Sequence, residues 1–215
     1  MTETKYDRTH RHLILCGIRL LQNEAYDRVS VASICQEAGV SRQNFYQHFS
    51  SKEQLVAEYY ISALFLTDAM MDCVTLAPDP WSAMIRLQLL YLQLLCSADQ
   101  AELLSHYLSY QLTDQSPIVS EHENGEMETL LTSLIRQLQT EHIARNTADA
   151  YYLQKAIRMV LSGHLFNWCS NGGRPDMYSD FFWTLEAVLD IDDTYRGAWK
   201  LEESSVSTFL RRNGR

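Results

Sequence analysis

The chain has 215 residues, of which 46% are apolar, 11% aromatic and 21% charged. That length and mixture describe one large or two small globular domains with a substantial core; they exclude wholesale disorder, and no apolar run approaches the roughly 18 residues a membrane span needs. The formal charge of −9 argues by itself against a polyanionic partner, yet it is unevenly placed: residues 1–60 carry seven Lys/Arg against seven Asp/Glu, and residues 61–215 carry eleven against twenty.

The N-terminal stretch MTETKYDRTHRH is polar and does not read as a secretory leader. Ile14, Ile18, Leu21 and Ala25 then repeat at helical spacing, with Leu13, Gly17 and Leu20 beside them, a stripe wide enough to pack on more than one side. Val31, Ile34, Cys35 and Ala38 predict a short second helix, capped by Ser30 and ended by Gly39. Ser41 is placed to cap a third, ending near Phe49. Ser50 and Glu53 have the spacing of a capping box and open a longer helix through Leu55, Tyr59 and Leu66. Pro78 and Pro80 break the pattern. Helices follow over 81–96, 98–112, 127–143, 148–169 and, after Asn171-Gly172-Gly173 and Pro175, over 177–189. Residues 113–125 have no periodicity and read as a loop. Beyond Asp190 the signal weakens to a short helix over 194–201 and a flexible tail over 202–215. The expectation is an all-α protein of about nine helices, with a smaller N-terminal domain over 1–52 and a larger helical domain over 53–201.

The chemistry concentrates in RVSVASICQEAGVSRQNFYQHFSSKEQL, residues 28–55. Two short helices joined by a turn containing glycine have the length of a helix-turn-helix. In that motif the first residues of the second helix reach base edges in the major groove. Here they are Arg42, Gln43 and Asn44. Arginine forks onto guanine, and Gln or Asn onto adenine. Tyr46, His48 and Lys52 are placed to meet phosphates, which fix register without reading sequence. Phe45 and Phe49 are expected to face inward.

This segment resembles the DNA-binding domain of the TetR/AcrR family of bacterial transcriptional regulators, whose pattern runs V-x-x-I-A-x-x-A-G-V-S-x-x-x-F/L-Y-x-H/Y-F-x-x-K-x-x-L. Val31, Ile34, Ala38, Gly39, Val40, Ser41, Phe45, Tyr46, His48, Phe49, Lys52 and Leu55 match it. Cys35 replaces the usual alanine, and Gln43 and Asn44 stand where small residues are common. The resemblance implies a homodimeric, ligand-responsive regulator, most simply a repressor, bound to a palindromic operator in double-stranded DNA. It also implies that Ser30 and Ser41 lie at the DNA surface. Beyond about residue 58 it holds only in outline. The last two core helices correspond to the family's dimer-forming pair, which assigns Tyr152, Ala156, Val160, Gly163, Phe181, Leu185 and Val188 to a subunit interface.

An effector, a small molecule of unknown identity, is expected between the helices of the acidic domain, where Trp81, Tyr91, His106, Tyr107, Tyr110, Phe166 and Trp168 are candidates to line a cavity. The five cysteines, at 16, 35, 73, 96 and 169, are odd in number and never in a C-x-x-C pair, which points to a reducing, cytoplasmic setting without a disulfide frame. Glu121-His122-Glu123 reads as a solvated loop, so neither metal nor cofactor is expected. No nucleophile elbow, phosphate loop or H-E-x-x-H occurs, which argues against an enzyme. An activator, or a DNA-bound protein acting through a protein partner, remains compatible with the same residues.

Overall fold

The computed structural model describes residues 4–64, 67–96, 101–113, 125–173 and 176–213. Eleven α-helices fill them: α1 (Lys5–Asn23), α2 (Val31–Ala38), α3 (Arg42–His48), α4 (Lys52–Leu64), α5 (Asp68–Thr75), α6 (Pro80–Leu95), α7 (Ala101–Thr113), α8 (Gly125–Thr140), α9 (Ala150–Ser170), α10 (Met177–Leu189) and α11 (Trp199–Asn213). Among these residues the one β-type pairing is an isolated bridge between Ala144 and Ile191. No described helix is long and apolar enough to cross a membrane.

The first three helices form a tripod around Leu13, Ile34, Phe45 and Phe49, all essentially inaccessible to water. Each is capped by a side chain of the expected kind. The Thr4 hydroxyl accepts from the Asp7 N–H at 3.2 Å while the Asp7 carboxylate takes the Thr4 N–H at 2.9 Å, so α1 begins at Lys5, a full two turns before its apolar stripe. The Ser30 and Ser41 hydroxyls accept from the Ser33 and Asn44 N–H groups, both at 3.1 Å. Gly39 ends α2 at φ +65°, where a side chain would be strained. Gly17 serves contact: a Cβ there would stand 2.9 Å from Leu55 Cδ2, so the glycine lets α1 lie directly on α4.

α4 belongs to both halves. It packs on α1 on one side and on α6 and α7 on the other, burying Leu55, Val56, Ala57, Tyr60 and Ile61 between them. The expected boundary between residues 52 and 53 therefore falls at the start of a shared helix. Its cap also differs from expectation. Ser51 Oγ accepts the Gln54 N–H at 3.2 Å and Gln54 Oε1 accepts the Ser50 N–H at 2.6 Å, which leaves the Glu53 carboxylate free for the Tyr26 hydroxyl, 3.1 Å away.

In the C-terminal half α6 is the axis, apolar and buried on nearly every side, with α4, α5, α8 and α11 around it; α7, α8 and α10 pack on α9. The count exceeds the expected nine for two reasons. Thr67 caps α5 as a helix separate from α4. The expected flexible tail over 202–215 is instead helix through Asn213: Val206 is fully buried against the core, Arg86 Nε donates to Glu202 at 2.6 Å, and Trp199 stacks on Phe182. Asp190, Asp192 and Asp193 end α10 beside Arg145 and Arg196, a cluster of exposed ion pairs. The 121–123 triplet and most of the expected 113–125 loop lie outside the described residues.

Candidate nucleic-acid interface

α3 is only seven residues long, so it cannot hold its position through its own hydrogen bonds. Its position comes from packing. Phe45 and Phe49 are buried with their rings 5.5 Å apart, and the Phe49 ring faces that of His10 on α1 at 4.5 Å. The opposite surface carries Arg42 and Gln43, both exposed in the first helical turn, with Tyr46 and Gln47 exposed beyond them. Asn44 is half-buried; its amide N–H donates to Gln47 Oε1 at 3.4 Å. Arg42, Gln43 and Tyr46 thus keep polar ends turned outward on one face. Ser30 and Ser41 stand exposed at the starts of α2 and α3, their hydroxyls already engaged as caps.

Two expected phosphate contacts are placed otherwise. Lys52 is half-buried: its ammonium donates to the Tyr26 and Val29 carbonyls at 2.7 and 2.8 Å and lies 3.7 Å from the Tyr26 ring centroid. Burial holds its pKa below the usual lysine range, opposed by the nearby Glu53 and Asp27 charges. The lysine ties the turn before α2 to α4, and the two carbonyls and the Tyr26 ring offset part of the cost of burying its charge. His48 is 8% exposed and sits in a ring cluster, 4.2 Å from Tyr6 and 5.5 Å from His10. Burial, and then the charge of His10, pull its pKa down, so it is a neutral core ring. His10 Nε2 meets Glu58 at 2.7 Å and the Tyr6 hydroxyl donates to the Gln47 carbonyl at 3.3 Å. This cluster locks α3 to the start of α1.

The residues expected to line an effector cavity separate. Phe166 is 63% exposed on the outer side of α9. Trp81 is buried and donates to the Tyr195 carbonyl at 3.1 Å, which makes it a strut between α6 and the approach to α11. His106 turns toward the N-terminal half and stacks on Tyr26, centroids 3.4 Å apart and planes within 13°. Trp168 packs under Gly173. Tyr91 and Tyr107 stay inside, Tyr107 stacked on Tyr60 at 5.1 Å, and burial pushes both phenols up. Tyr110 is half-buried. Sequence reasoning missed Gln154. It is fully buried on α9, and neither its amide nitrogen nor its oxygen has a partner. A polar residue on the apolar inner stripe of Leu153, Ile157 and Leu161 was the available signal.

The subunit-interface residues divide as well. Tyr152 and Gly163 are exposed and Ala156 and Val160 half-exposed, with Met159 (77% exposed) and Phe166 on the same stripe of α9. On α10, Phe181 and Leu185 are buried in the monomer core and Val188 is half-buried, so the first two leave the assigned interface; the outward apolar group is Trp183, 72% exposed. α10 carries large apolar side chains on both its buried and its exposed sides, which hid its outer face from a pattern reading.

Known proteins bear out the architecture. Residues 14–59 match the model of the tetR family of bacterial regulatory proteins. The chain is 22% identical over 177 residues to the transposon Tn10 TetC protein of Escherichia coli, covering 72% of this chain and 82% of that protein. A TetR-family regulator from Pectobacterium atrosepticum superposes with a TM-score of 0.67 at 18% identity, over 88% of this chain and 96% of the other. The Thermus thermophilus repressor FadR, solved with lauroyl-CoA, gives 0.63 at 15% identity, over 84% and 93%. At those identities the structures speak for the fold, and the matched segment holds the exposed start of α3 with Phe45, His48 and Phe49 behind it. Residues 14–59 thus form a domain of the tetR family of bacterial regulatory proteins, and the chain as a whole shares the fold of TetR-family regulators.

Proposed function

We propose that the chain is a ligand-responsive repressor that binds a palindromic operator as a homodimer in the cytoplasm, acting by binding and not by turnover. The observation that carries this reading is the pair Arg42 and Gln43, exposed together on the first turn of a helix whose other side is locked by Phe45, His48 and Phe49. Long polar side chains on so fixed a base suit groove reading, because the backbone that carries them has little freedom left to lose on binding. Two such heads would occupy successive major grooves about 34–36 Å apart, or a multiple of that spacing. The exposed stripe Tyr152, Met159, Gly163 and Phe166, with Trp183 beside it, supplies the face on which two copies would join.

Gln154 supports an effector inside the helical domain. A buried amide without partners costs roughly 1–3 kcal/mol, which a ligand offering both a donor and an acceptor would recover. The Thermus repressor of the same fold, solved in complex with lauroyl-CoA, supports a small-molecule effector for this chain. The His106–Tyr26 stack, braced by Lys52, is the contact through which α7 would pass a change to α2 and α3. The effector needs different affinities for the two arrangements to move the equilibrium.

Selection from random duplexes followed by titration tests the reading. A two-fold symmetric site is expected, with Arg42→Ala and Gln43→Ala each losing about 1–3 kcal/mol, roughly 5–150-fold, and relaxing base preference at one position per half-site. Unchanged affinity and unchanged preference in both variants would refute it.

A further inference from the structure

α7 meets the DNA-binding head across one aromatic ring. Tyr26, in the short helical turn Tyr26–Arg28 that precedes α2, is buried. His106 of α7 covers one face of its ring, with centroids 3.4 Å apart and planes within 13°. The Lys52 ammonium stands 3.7 Å from the same ring centroid. The imidazole leaves no room for it on that side, so the ammonium lies over the opposite face. The Tyr26 hydroxyl donates to Glu53 at 3.1 Å, and Lys52 donates to the Tyr26 and Val29 carbonyls, so the ring is held at its edge and on one face. On the other face the link to α7 is the stack itself.

This arrangement accepts a neutral imidazole and resists a charged one. Protonated, His106 would be a second cation on a ring whose π-electrons Lys52 already engages, and the two charges would face each other across it, well inside a Debye length. The imidazole is also half-buried, so its charge would lose hydration. Burial lowers the His106 pKa most. Glu102, one turn earlier on α7, opposes it; Lys52 adds to it; Asp27 and Glu53, beside Tyr26 and at the start of α4, oppose it more weakly. The net position is below the usual histidine value. α9, which also packs on α7, adds no charge to these among the described residues.

We propose that His106 is a proton-operated latch between α7 and the DNA-binding head: neutral, it stacks on Tyr26 and holds the head to the helical domain; protonated, it leaves the ring, and operator binding weakens in acid. Protons favour whichever arrangement lets the imidazole reach water. A histidine depressed in the stacked state contributes its full hold above about pH 6.5, and the hold is lost as the pH falls below that. A head released from α7 has to be ordered again when two heads meet two half-sites, which costs affinity. The consequence for DNA rests on the operator-binding reading given above. The latch itself does not, because its opening is visible in the free protein.

Two measurements on the full-length protein test it. NMR of the imidazole and tyrosine rings in the free protein, titrated from about pH 8 to about pH 5, should show His106 protonating below about 6.5 and the Tyr26 ring shifting with the same midpoint. A duplex selected for binding should lose about tenfold in affinity between about pH 7.5 and about pH 5.5 at constant salt, beyond the change shown by His106→Phe. That variant keeps a flat ring on Tyr26, cannot ionise, and leaves every other histidine free to titrate. His106→Gln, neutral and unable to cover the ring, should bind weakly at both pH values, with the shallow pH dependence of the Phe variant. A His106 midpoint at or above about 6.5, a Tyr26 ring that does not follow it, or a His106→Phe protein whose affinity tracks the parent's across the range overturns the latch. If no duplex is selected at all, the operator-binding reading fails, and the NMR titration still decides whether the contact opens.

Discussion

His48 shows how one position in a DNA-binding motif can serve the fold instead of the nucleic acid. Its ring is buried against Tyr6, His10 and Phe49, with Glu58 on α4 paired to His10 and no partner on its own Nδ1. Burial, and then His10, depress its pKa below 6.5. For a histidine that is depressed on folding, the unfolded chain takes up the proton first. The stabilising contribution of the neutral ring is therefore whole above about pH 6.5 and is lost as the pH falls below it. Urea unfolding followed from pH 7.5 to pH 5.5 should show the parent losing stability more steeply than His48→Phe, which keeps the ring and cannot titrate. Parallel profiles would remove His48 from the acid response. Lys52 teaches the same lesson with the opposite charge: a surface cation by pattern, it spends its hydrogen bonds on the Tyr26 and Val29 carbonyls.

At the scale of helices, α11 is the element the sequence concealed. Its apolar residues are few and widely spaced, and its docking depends on partners more than 100 residues earlier: Arg86 to Glu202 and Gln93 to Ser207. Val206 is fully buried there, while Leu201 on the same helix is exposed. Val206→Ala should lower stability in urea by about 1–3 kcal/mol, and Leu201→Ala by no more than about 0.5. Equal, negligible effects would mean the segment is not docked. What was legible follows the same logic. α2 and α3 carry their own caps, Ser30 and Ser41, their own stop at Gly39 and a fixed aromatic spacing, so both were readable locally, and so was the outward place of Arg42 and Gln43. The roles of Lys52, His106 and Gln154 depend on residues from distant helices, which no local period records. The faces of α10 were hidden for another reason: Phe181, Phe182, Leu185 and Leu189 are all buried, and the exposed Trp183 looks no less apolar than they do.

For the whole molecule, the question is what covers the outer face of α9 and α10. Met159, Phe166, Tyr152 and Trp183 are large, and scattered apolar side chains need no explanation, but Tyr152, Met159 and Phe166 recurring every seven residues along α9, with Ala156 and Gly163 between them, do. Gly163 lies in the middle of that row with nothing within 4 Å of where a Cβ would be, which leaves room for a second backbone to come close. A two-fold axis through this face that also set both copies of α3 on one side would let the neutral N-terminal halves meet DNA while the acidic remainder is kept away from it. Because these side chains are already in solvent, charges placed there should leave the monomer folded. Met159→Glu combined with Trp183→Glu should therefore give a stable monomer in sedimentation, with unfolding close to that of the parent. Operator affinity should fall far more than intrinsic half-site recognition does, since one head no longer brings the second with it. A double variant that remains dimeric would move the subunit contact elsewhere, and a monomeric variant with undiminished operator affinity would separate recognition from dimerisation altogether.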